Sequence, residues 1–253
     1  MSAWAIGLIT LVCVYAGALL GLGLQRILPK DHLSNESKDA VKIVAGLLAT
    51  LSALVLGLLV ASAKGSFDGV SDAMRKNAAK EIVVDRLLAQ YGPEAKSVRE
   101  QLKREYAERV ARFFPEGRSD HDSSKLAPNT SADEDLRRSL KTLVPSTEEQ
   151  RTILSRVQLL VDDITQMRWL AFEEASSGTP PAFLAVLVAW LVMLFVSFGL
   201  FTPPNPTAFA ALFFGAVAVA TSIFLIEEMS HPVGGFIEIP SEPMRRALSI
   251  LGQ

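Results

Sequence analysis

The charges of this chain are sorted into blocks. Residues 3–24, 43–63 and 180–226 contain no Asp, Glu, Lys or Arg, while 25–42, 64–174 and 227–246 hold the charged residues. A soluble helix or strand mixes polar and apolar residues at a period near 3.6 or 2, because each element keeps a wet face. The uncharged blocks have none. Overall composition hides this: 49% hydrophobic and 21% charged would suit a water-soluble domain.

Length makes the blocks spans. A hydrocarbon core of roughly 30 Å takes about 20 helical residues at about 1.5 Å each. Ile43–Ala63 is long enough, and its Leu, Ile and Val side chains favour insertion by roughly 3–7 kcal/mol. Block 180–226 is too long for one span, and Thr202-Pro203-Pro204-Asn205-Pro206 divides it. Prolines so placed cannot continue a helix. The division predicts Ala182–Phe201 and Thr207–Ile226, joined so tightly that they are expected to be antiparallel neighbours. Ala3–Leu24 is the first span. A signal peptide would need a basic start and a shorter apolar run, and no Lys or Arg precedes Arg26.

The expected class is therefore an all-α, polytopic membrane protein. It has four transmembrane helices, paired two and two along the chain, with a cytosolic helical insert between spans two and three. The predicted boundaries are 1–63 (spans one and two), 64–179 (insert), 180–226 (spans three and four) and 227–253 (cytosolic tail). Four spans place both termini and the insert on one side. Near the span ends that side carries Lys64, Arg75, Lys76, Lys80, Arg168, Arg245 and Arg246; the other carries Arg26, Lys30, Lys38 and Lys42. The excess of basic residues favours cytoplasmic termini and insert. Cys13, the single cysteine, allows no intrachain disulfide and suits a small packing residue in span one. Net charge is −2 with no basic block, so nucleic-acid binding is not expected.

The insert is expected to be helical. Span two runs on through Ser66–Tyr91 to the stop signal Gly92-Pro93. A second helix begins near Glu94 and ends at Phe114-Pro115, with Val98, Leu102, Tyr106, Val110 and Phe113 in one stripe. Residues 115–133, rich in Ser, Asp, Pro and Asn, are expected to form a mobile loop. Leu136–Leu143 predicts a short helix. Ser146-Thr147-Glu148-Glu149 predicts a capping box between Ser146 and Glu149. The helix it opens carries Ile153, Val157, Leu160, Ile164 and Met167 on one face and runs to about Ser176.

Span two has a further regularity: Ala45, Ala49, Ala53, Gly57, Ala61 and Gly65 recur every four residues. Small residues let helices approach closely in lipid. The ridge suits either packing within the chain or a subunit contact or pore lining. Gly17 and Gly21 give span one a GxxxG; Ala211 with Gly215, and Ala216 with Ala220, give span four similar pairs. Thr50, Ser52, Ser62, Thr221 and Ser222 are hydroxyls that can bond back to their own helix. No Asp, Glu, Lys, Arg or His lies at mid-bilayer, which argues against a proton-coupled pump.

Charge gathers at the span ends. Lys64 and Asp68 leave span two one turn apart, and Glu227 and Glu228 end span four as an exposed acidic helix end, followed by His231. In a ring of subunits, Lys64 would make a basic collar and Asp68, Glu227 and Glu228 an acidic one, with opposite selectivities. Catalysis is not indicated. His32, His121 and His231 lie in separate segments without metal spacing, and there is no phosphate loop, nucleophile elbow or HExxH. No enzyme activity, metal or cofactor is expected.

Leu47–Asp68 (LLATLSALVLGLLVASAKGSFD) and Glu228–Leu248 (EMSHPVGGFIEIPSEPMRRAL) resemble a family of bacterial and plant membrane proteins called bestrophin-like. The layout of Arg168–Pro181 is similar too. The resemblance implies a distant relation to bestrophins, oligomeric anion channels with four spans and cytosolic termini whose second span lines the pore. It implies that Thr50, Leu51, Leu54, Leu58, Ser62 and Lys64 line or gate a path, and that the tail braces the cytosolic side. Span two lacks the aromatic neck residues of bestrophins, and their acidic calcium cluster is not recognisable, so no calcium site is expected. The expected protein is a homo-oligomeric ion channel of a bacterial inner membrane, with anions favoured by resemblance. The alternative is a non-conducting scaffold or sensor whose insert binds a protein.

Overall fold

A computed structural model describes residues 2–29, 35–115, 126–178, 180–232 and 235–253. Among them there are helices and no strand. The helices are α1 (Ala3–Ile27), α2 (Asn35–Tyr91), α3 (Lys96–Phe113), α4 (Thr130–Lys141), α5 (Glu148–Ser176), α6 (Pro181–Phe201), α7 (Pro206–Met229) and α8 (Glu242–Ile250). Four are long and apolar enough to cross a membrane, so the chain is a multi-pass membrane protein. His32, His121, Lys30 and most of the expected 115–133 loop lie outside the described residues.

The chain divides into two compact units. One comprises Met1–Lys64 and Thr179–Ser230, the other Gly65–Gly178 and His231–Gln253. α2 belongs to both, and neither Gly65 nor Gly69 interrupts it.

In the membrane unit, packing order departs from chain order. Pro206 opens α7, and Asn205 caps it by accepting from the Ala208 N–H at 2.7 Å. Yet α6 and α7, expected as close neighbours, touch little. α1 lies against both. The reason is steric. A Cβ on Gly21 would overlap the Val196 carbonyl oxygen and stand 2.8 Å from Leu200 N; one on Gly199 would overlap the Ala18 oxygen. A Cβ on Gly17 would crowd Val192 at 3.1 Å and one on Gly7 would crowd Phe224 at 3.2 Å, without overlap. Glycine brings these backbones together, and dispersion between close-packed atoms holds them. Tyr15 against Phe213 and Trp4 against Phe224 complete the contact of α1 with α7.

The insert unit is built differently. The predicted stripe Val98, Leu102, Tyr106, Val110 and Phe113 is buried throughout α3. It joins Val70, Val84 and Leu88 of α2, Val157 and Ile164 of α5, and Met244, Ala247 and Leu251 of the tail in one core. Two local expectations need correction. α4 begins at Thr130, inside the expected loop, because Asn129 caps it and Asp133 is drawn into an ion pair. The capping box stands one residue later than predicted. Thr147, not Ser146, accepts from the Gln150 N–H at 3.1 Å, and Gln150 rather than Glu149 reaches back, accepting from Ser146 N at 2.7 Å. That shift also frees the Gln150 amide to donate to Tyr91 O.

Candidate pore helix and the charged core of the insert

α2 is the exposed span. Of its apolar stretch 17% is buried, against 39% for α1. Leu59 and Ala63 join the core of the membrane unit, with Val55 and Leu56 against it. Ala45 and Ser52 are also buried. These residues lie on one face.

The small-residue ridge does not stay on that face. A helix turns about 100° per residue, so a four-residue step drifts by about 40° and five steps by about 200°. Ala45 is buried and Ala49 half-buried, while Ala53, Gly57, Ala61 and Gly65 are exposed. A Cβ on Gly57 or Gly65 would meet no atom within 4 Å. As a seam within the chain the ridge therefore ends at Ala49.

The residues expected to line a path, Thr50, Leu51, Leu54, Leu58, Ser62 and Lys64, are all exposed. Leu54 is 71% and Leu58 68% exposed, on the side away from Leu59 and Ala63. Thr50 Oγ1 donates to its own helix at Gly46 O, 2.9 Å away; Thr221 and Ser222 bond back likewise. Such hydroxyls can still accept a second hydrogen bond. Ser52 Oγ is buried without a partner.

At the charged ends the structure separates what the sequence grouped. Lys64 and Asp68 are exposed. Glu227 and Glu228, expected at an exposed helix end, are 9% and 0% exposed. The last turn of α7 also buries Ile223 and Ile226, so its acidic residues share the apolar face. No group of three metal-ligating side chains occurs among the described residues.

The insert holds charged residues that sequence reasoning missed. Arg109 Nη1 donates to Glu81 at 2.6 Å, and Arg168 Nη2 donates to both oxygens of Asp133 at 2.7 and 2.9 Å. Arg99 grips Asp85 with two bonds of 2.8 and 3.0 Å, and Asp85 also accepts from Gly252 N. Glu81 and Asp85 are buried on the face that carries Val84 and Leu88. Glu81 stands three residues after Ala78 and Asp85 three before Leu88, which was the available signal, since acids set in an apolar stripe require partners. Burial, and then neighbouring Arg109, lowers the Arg168 pKa from its ordinary value, while Asp133 opposes the fall. Burial raises the Glu105 carboxyl, and a hydrogen bond from Gln101 only partly offsets this.

No curated protein matches the chain significantly. A crystal structure of a membrane protein is similar in fold, with a TM-score of 0.66 at 13% identity, covering 98% of this chain and 99% of that one. Residues 12–244 match the bestrophin-like domain, which takes in most of α1, the other three membrane helices and the whole of 64–179. On that match the chain belongs to the bestrophin-like family.

Proposed function

We propose that this protein is a homo-oligomeric ion channel in which α2 of each subunit lines the path. One observation carries the reading: the outward face of α2, from Thr50 through Leu54 and Leu58 to Lys64, is left uncovered by its own chain. The gap beside Gly57 is of the kind that a neighbouring helix or an ion path would fill. Family membership supports a channel over other uses of four spans. The leucines provide a hydrophobic constriction, which gates by dewetting, and Lys64 provides a collar at its end. In this reading the insert and both termini are cytoplasmic, the membrane is a bacterial inner membrane, and anions are preferred.

Purified protein in liposomes is expected to pass chloride in a flux assay. Absence of flux for both anions and cations, with protein shown to be oligomeric and correctly inserted, would sink the reading in favour of a scaffold. Lys64→Gln is expected to shift the reversal potential in a chloride gradient towards lower anion preference. An unchanged potential removes Lys64 from the path.

A further inference from the structure

A cavity of about 30 Å³ lies among α2, α3, α5 and α8 in the insert unit. That is room for one or two particles the size of water. Its polar wall consists of Asn77, Tyr106, Arg109 and Arg168; the remainder is apolar, with Phe113 and Phe172 prominent. Tyr106 Oη and Asn77 Oδ1 are buried and have no hydrogen-bond partner. Each such orphan costs roughly 1–3 kcal/mol, and both adjoin one cavity.

The guanidinium groups are committed on one side only. Arg109 uses Nη1 on Glu81, and Arg168 uses Nη2 on Asp133. A guanidinium has five N–H donors, so each of these cavity-lining arginines keeps donors beyond those used on its carboxylate. The two ends of an asparagine amide are interchangeable in structure assignment, and an exchange at Asn77 turns the orphan acceptor into a donor. The wall then offers donors from two guanidinium groups, a phenol and an amide. The two fixed positive charges disfavour a cation, and a phosphate or sulfate exceeds the space.

We propose that this cavity binds one small monovalent anion of halide size, held by Arg109, Arg168, Tyr106 Oη and the Asn77 amide. Glu81 and Asp133, paired with the arginines, and Glu105 near Arg109 weaken the binding. The site is separate from the α2 face assigned to conduction. Its occupancy ties α2 to α3 and α5.

The test uses the full-length protein in detergent. Sodium chloride is titrated against sodium gluconate at constant ionic strength, since gluconate is too large for the cavity, and thermal unfolding is followed. The wild type is expected to gain melting temperature saturably with chloride. Tyr106→Phe keeps the ring and removes the orphan hydroxyl. It is expected to melt no lower than wild type in gluconate, while its apparent chloride affinity falls about tenfold, as for a lost charge-assisted hydrogen bond. Independently of any variant, crystals grown in bromide are expected to show an anomalous peak beside Tyr106 Oη. No bromide peak there, or a chloride effect equal in wild type and Tyr106→Phe, overturns the proposal and leaves water as the occupant. Neither readout depends on ion flux.

Discussion

Gly21 of α1 and Gly57 of α2 are the same residue in spans of similar apolarity, with opposite surroundings. Gly21 has the backbone of α6 where its side chain would be, and Gly57 has open space. The membrane unit is closed by backbone approach along α1, α6 and α7, while one side of α2 remains outside that closure. The insert unit achieves its closure by other means, with apolar stripes and buried ion pairs. Glycine thus marks a finished contact in one span and an open surface in the next. Only the atoms around it distinguish the two.

Gly21→Leu should break the contrast most severely. The added side chain cannot avoid the α6 backbone, and overpacking of this kind costs about 3 kcal/mol or more. Loss of folded protein in size-exclusion chromatography from detergent would register it; a normal elution profile would show that α1 and α6 do not meet at this residue. Glu81→Ala tests the insert in the same way. It strands Arg109 in the core, and breaking a buried pair from one side costs about 3–5 kcal/mol. A fall in the insert's denaturant midpoint is expected, with the larger change at low salt excluded because the pair is shielded from solvent.

Gly57→Leu sharpens the other side of the comparison. Leucine favours helix over glycine by about 1 kcal/mol and meets no neighbour in its own chain. Thermal stability of the subunit should hold or rise, while flux or subunit number changes. A variant unchanged in both would mean that this face meets only lipid. The smallest effect belongs to Glu105→Gln. The folded carboxyl has a raised pKa, so the folded state holds its proton to higher pH than the unfolded chain does. Stability therefore falls as pH rises from the ordinary value of 4.5 through the raised folded value. Above that window the glutamine variant should melt slightly higher than wild type; below it the two should coincide. Melting curves at pH 4 and pH 7 make the check.

Much of the architecture was legible because single residue types dictate it. Charge-free blocks predict spans, since an unpaired charge in hydrocarbon is costly. Pro203, Pro204 and Pro206 divide α6 from α7, as a helix without those N–H groups must stop. The α3 stripe is buried residue for residue because a 3.6 period has one solution when the opposite face is charged. Ser146 and Thr147 are both competent caps, so the choice between them fell to Gln150, which bonds Tyr91 from another helix. α8 passed unrecognised, although Pro243 in its first turn and the spacing of Met244, Ala247 and Leu251 were available signals.

The candidate path was legible only as a helix, not as a face. The row Ala45, Ala49, Ala53, Gly57, Ala61 and Gly65 is small by sequence, but which of its members are covered is not, because a four-residue row winds around the helix by about 200°. Tertiary packing settled that by closing α1 on α6 and α7 and engaging α2 through Leu59 and Ala63. Likewise, Glu81, Asp133, Arg109 and Arg168 are ordinary charges in the sequence, and folding made them a buried cluster. The hydrophobic inventory of the chain determines that it spans a membrane four times. Which glycine is filled, which leucine is bare and which arginine is paired depend on contacts between residues far apart in sequence, and local periodicity carries no record of those.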